Sequence, residues 1–142
     1  MKRLAIVLLC LCLLCVGCGK SDDGQVELDV TEDLYVTTVN AVYNDYQTYV
    51  GERVRIEGVY GVVDTGSAQY HWVYRQGPGC CGTDGAMCGF EFTYNGETPE
   101  INDWIQVIGI LESYKEDGSV YLSIKAESVT VMDVRGLEIV SR

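Results

Sequence analysis

The sequence predicts an all-β fold, a small five-stranded OB-like barrel preceded by one N-terminal helix. Three observations carry this reading. From residue 53 onward apolar and polar residues alternate at period two, as half-buried strands require. Turn-forming clusters, among them Asp64-Thr65-Gly66-Ser67 and Glu116-Asp117-Gly118-Ser119, divide that region into short runs. Ahead of them, a single stretch repeats its apolar residues at three- and four-residue steps.

That stretch begins at Thr31-Glu32-Asp33, a plausible capped start, and continues through Tyr35, Val39, Val42, Tyr43, Tyr46 and Val50. Gly51 closes it. The first strand follows as Val54, Ile56, Gly58, Tyr60 and Val62, with glycines at Gly58 and Gly61 where a barrel strand must curve. His71–Arg75 and Phe90–Tyr94 read as short strands joined by a glycine-rich loop, and Asn95-Gly96 ends the second of them. Trp104–Tyr114 is a long strand, followed after a turn by 120–124 and then 129–131. The segment between Tyr94 and Trp104 is too short for the helix that many OB-folds carry there. Trp72, Trp104 and Tyr74 are candidates for a carbohydrate- or peptide-binding face, with the barrel core the expected home of Trp104.

The N-terminus places the chain in a compartment. Met1-Lys2-Arg3 is a short basic region, and Leu4 to Val16 is almost purely apolar but shorter than the ~20 residues a bilayer-spanning helix needs. This is the pattern of a secretory signal peptide, residues 1–17. Leu14-Cys15-Val16-Gly17-Cys18 resembles a bacterial lipobox, with cysteine at the position where leucine is usual, which makes Cys18 the lipidated residue. The alternative is an ordinary cleaved signal rich in cysteine. Residues 18–30 then form a polar tether and 31–142 a single domain. Two acyl chains on Cys18 would hold that domain to the membrane, on its extracytoplasmic face.

The formal net charge of −11 becomes more negative when Lys2 and Arg3 leave with the signal. So acidic a domain repels phosphate backbones and anionic headgroups, and nucleic acid is excluded as a partner class. Signal cleavage also removes Cys10, Cys12 and Cys15, and lipid occupies Cys18. The remaining thiols all fall in one loop, QGPGCCGTDGAMCG, residues 76–89.

Three chemistries fit that loop. Cys80, Cys81 and Cys88 supply soft ligands suited to zinc or copper(I), with Asp84 as the fourth. His71 is an additional candidate; pairing the flanking strands as a hairpin would put it near Glu91, at the far end from Cys80 and Cys81. A disulfide is the second reading. Neighbouring Cα atoms lie about 3.8 Å apart, closer than disulfides favour, so the partner of Cys88 would be Cys80 or Cys81. Thiol catalysis is the third: it needs His71 and Asp84 placed beside a cysteine, and no C-x-x-C pair is present. No paired carboxylates or phosphate-binding glycine loop point to another enzyme class, and no catalytic residue is assigned. Metal binding is the preferred reading, the loop-pinning disulfide of an interaction module the alternative.

Tyr49-x-Gly51-x-x-Val54-x-Ile56-x-Gly58, Cys80-Cys81-x-x-Asp84 and Trp104-x-x-Val107-x-Gly109 together resemble the C-terminal domain of YcgQ-like permease subunits. GPGCCG-x-DG followed by GFE is similar also to small clostridial-type lipoproteins. In the YcgQ-like proteins membrane helices precede this domain, where this chain has a lipobox. The resemblance implies a membrane transporter or permease as partner and an association with metal transport.

Overall fold

The computed structural model describes residues 24–78 and 85–141. Its elements are β1 (Leu28–Val30), a 3-10 turn (Glu32–Leu34), α1 (Tyr35–Asn44), α2 (Tyr46–Tyr49), β2 (Arg53–Asp64), β3 (Gln69–Gly77), β4 (Ala86–Thr93), β5 (Trp104–Glu116) and β6 (Ser119–Val131). The sheet runs β1-β2-β3-β4-β6-β5, and β5 pairs back onto β2, so five strands close into a barrel. Within it every pairing is antiparallel except β4 with β6. This is the predicted OB-like barrel.

Closure is achieved by β2, which has two partners in succession. Residues Arg53–Val59 pair with β5 and Val59–Asp64 with β3. The strand therefore bends at Gly58, where a Cβ would stand 2.6 Å from the Tyr74 carbonyl oxygen. Only glycine allows the two backbones to approach so closely. A second irregularity, the register shift between Ile108 and Gly109, curves the long β5–β6 ladder. The segments 120–124 and 129–131 are one continuous strand across that irregularity.

Inward-facing residues of all five strands, including Ile56, Tyr60, Val73, Phe90, Val107 and Ile124, form the core. Tyr35, Val39 and Val42 of α1 enter the same cluster. Residues 94–103 contain no helix, so the helix preceding the barrel supplies the plug. It sits at the end where β3 runs into β4: Tyr43 stacks on Phe90 at 5.4 Å and its hydroxyl donates to the Gly89 carbonyl at 3.1 Å.

The helical region is less regular than its spacing predicts. It opens as a 3-10 turn with no side-chain cap from Thr31, and it breaks at Asp45 (φ −134°, ψ 47°). There Asp45 accepts from the Thr48 hydroxyl at 2.8 Å and the Thr48 amide at 3.0 Å, so local capping competes with helix continuation. Gly51 ends the region at φ +97°, as expected of a glycine C-cap position. Residues 28–30, read from sequence as the end of the tether, instead pair in parallel with Val54–Ile56. At the other terminus, residues 138–140 lie along β3: the Gln76 amide donates to Glu138, and the Val140 amide donates to Gln76. Among the described residues no helix is long and apolar enough to cross a membrane.

Candidate functional site

The β3–β4 hairpin organises the thiol loop. Its register runs from His71↔Phe92 to Gly77↔Ala86, so the connection comprises residues 78–85. Cys80, Cys81 and Asp84 fall within it and lie outside the described residues, as does Cys18 at the other end of the chain. Cys88 is described. It sits opposite Arg75, at the foot of the connection, and is 9% exposed. Gly77 makes room for it: a Cβ there would approach the Cys88 Cβ to 3.2 Å. Burial pushes the Cys88 thiol above its ordinary pKa, which keeps it protonated and unreactive in the absence of a cation. Beside it is an apolar cavity of about 270 Å³, walled by Val39 and Tyr43 of α1 and by Pro78 and Met87 of the hairpin. Burial also pushes the Tyr43 hydroxyl up to about 12.

His71 lies elsewhere. Four residue pairs separate it from the Arg75–Cys88 pair, about 13 Å along the strands. Its Nδ1 is 2.7 Å from the Tyr60 hydroxyl, and its ring stacks on that of Tyr60 at 5.9 Å. The expected hairpin geometry is thus observed, with His71 one pair away from the Trp72–Glu91 rung. Among the described residues no three His, Cys, Asp or Glu side chains are grouped to hold a metal.

Trp104 is in the core, as its position predicts, while Trp72 is half-buried on the outer barrel surface. There the structure assembles a second site, of which the sequence had singled out only Trp72. A cleft of about 380 Å³ lies at the barrel end away from the thiol loop, between the turns 65–68 and 117–118. Tyr70, Trp72, Tyr114 and Tyr121 wall it, and Glu91 and Glu116 line it. Tyr114 stacks on its cross-strand partner Tyr121 at 5.4 Å and donates from its hydroxyl to Glu91 at 2.7 Å. The Tyr70 hydroxyl lies 3.1 Å from both carboxylate oxygens of Glu116. Burial raises the Glu91 pKa, a shift that the Tyr114 hydrogen bond opposes. Two of these residues lie on β3, one on β4 and the others around the β5–β6 turn. Their only sequence signal is outward alternation, which cannot say which strands are neighbours.

No curated protein matches the chain. A family model does match, over residues 18–135, in line with the resemblance of the Tyr49–Gly109 pattern to the domain of the YcgQ-like permease-associated proteins. The match spans the whole barrel, and the chain belongs to the family of the DUF1980 C-terminal domain.

Proposed function

We propose that this domain is a non-catalytic binding module, tethered through Cys18 to the extracytoplasmic face of the membrane. It holds a soft metal ion, zinc or copper(I), through Cys80, Cys81 and Cys88 with Asp84. The observation that carries the reading is the β3–β4 register. Because the ladder ends at Gly77↔Ala86, the two neighbouring cysteines and Asp84 belong to one connection, with Cys88 two residues below the last rung at Ala86. A chain of four residues reaches about 14 Å and a two-residue descent is about 7 Å, so Cys81 is within reach of Cys88. His71, about 13 Å away and engaged by Tyr60, is left out of the ligand set.

The same reach permits a disulfide from Cys88 to Cys80 or Cys81. The burial of Cys88 favours this second reading, in which the domain is an interaction module with a pinned loop. Membership in a family whose domain occurs in permease-like proteins supports a membrane-associated partner in either case.

The test uses the full chain, purified in neutral detergent under reducing conditions without chelator. Stoichiometric zinc or copper by elemental analysis, lost in Cys80→Ser and in Cys88→Ser, supports the metal site. Affinity should also rise with pH, since binding must displace the proton that burial keeps on Cys88. A metal-free protein with one titratable thiol, and a melting temperature that falls on reduction, establishes the disulfide instead. Release of the chain from membranes by Cys18→Ser checks the anchor.

A further inference from the structure

The aromatic cleft lies toward the barrel end opposite the thiol loop, and Trp72 borders both it and the cavity beside Cys88. About five residue steps of β3, roughly 17 Å, separate Trp72 from the last rung at Gly77. Trp72 and Glu91 form a cross-strand pair on the outer surface, and Tyr70 lies two residues further along β3 on the same face. Tyr121 and Tyr114 form the facing rung on β6 and β5, with Glu116 two residues beyond.

Its electrostatics are one-sided. Glu91, Glu116 and Asp117 line the cleft, and among the described residues no lysine or arginine does. The acids engaged in ion pairs among the described residues are Asp29, Glu32, Glu127 and Glu138, none of them at the cleft. Glu91 is the critical member. It is 7% exposed, its carboxylate is met by the neutral hydroxyls of Tyr114 and Ser123, and among the described residues no lysine or arginine pairs with it. A carboxylate withdrawn from water without a cation is costly to maintain.

We propose that the cleft binds a small organic cation, an aliphatic amine such as a diamine or polyamine. Its ammonium group donates to Glu91 and Glu116, and its methylene body lies against Trp72 and Tyr121. Each ligand class meets this surface differently. Nucleic acids, which OB barrels accept on such a face, are repelled by the three carboxylates, as are free phosphates. A neutral sugar would stack on the rings but leave the Glu91 charge uncompensated. A bare calcium or magnesium ion wants six or more converging oxygens, whereas here the carboxylates are separated by aromatic rings and accept from tyrosine hydroxyls. An ammonium group on an apolar stem satisfies both halves of the lining: cation–π attraction and charge-assisted hydrogen bonds both favour it.

Calorimetric titration of the full chain in neutral detergent with cadaverine and with spermidine tests this, alongside Trp fluorescence. One saturable site should persist at about 0.15 M salt. Glu116→Gln and Tyr121→Ala, both at exposed positions, should each weaken it about tenfold, while Asp33→Asn outside the cleft leaves it unchanged. Absence of saturable binding overturns the proposal. So does equal weakening by Asp33→Asn, which would mean diffuse attraction to an acidic surface. Stoichiometric calcium binding, or binding of a neutral oligosaccharide in place of the amines, also overturns it.

Discussion

Glu91 is a carboxylate held in the protein against its own solvation. Burial raises its pKa, and the hydroxyl hydrogen bond from Tyr114 only partly offsets that. A raised folded-state pKa means that folding favours the protonated acid. The stability this contributes is complete below the ordinary glutamate value and is lost as pH rises through the raised one. Glu91→Gln, which keeps an acceptor for Tyr114, should therefore be more stable than the parent at pH 7 and nearly equal to it in mild acid. Urea denaturation at several pH values measures this; a variant destabilised at neutral pH would show that the charge is compensated by a group on the protein. In sequence, Glu91 is one polar residue between two phenylalanines, and outward alternation is all that can be read. Its burial comes from Trp72 and Tyr114, which approach it from other strands.

Strand β2 was legible in outline because its period of two and its glycines are local properties. The expectation that Gly58 marks a bend is met, since the strand passes from β5 to β3 within a residue of it. Gly58→Ala would drive a methyl group to 2.6 Å from the Tyr74 carbonyl oxygen, and a carbonyl held in the ladder cannot rotate aside. A loss of about 2 kcal/mol in unfolding free energy is expected, with the barrel otherwise intact by circular dichroism. An unchanged denaturation midpoint would mean that the strands separate there at little cost. The helical region was less legible. Apolar spacing continues from Tyr35 to Val50, but Asp45 offers its carboxylate and carbonyl to Thr48 and breaks the helix. Periodicity reports which residues face the core, and it is blind to a capping residue in the middle of a run.

Arg75 ties the molecule together. Only 2% exposed, its guanidinium lies between the Tyr35 and Trp104 rings, 4.5 and 4.8 Å from their centroids. It donates to the carbonyls of Glu57 and Leu137 at 3.0 and 3.2 Å, and pairs with Glu32 at 3.3 Å. One side chain thus joins the N-terminal turn, α1, three barrel strands and the C-terminal segment. Arg75→Met keeps the bulk but leaves two carbonyls without their donor, and should cost on the order of 3 kcal/mol. Arg75→Lys should recover only part of that, since a point charge cannot span the same acceptors. Both are read by thermal and urea unfolding, and full recovery by lysine would mean that charge alone matters. The sequence alone determined the barrel class, the strand order in the chain, the helix ahead of it and the confinement of the thiols outside the N-terminal segment to one loop. These follow from local periodicity, turn chemistry and spacing. Tertiary structure alone decided that Arg75 points inward, that the Tyr60 hydroxyl engages His71, and that four aromatic rings and two glutamates share a cleft. Each of these depends on which strands become neighbours and in what register, and pairing between distant segments leaves no mark on either segment's own pattern.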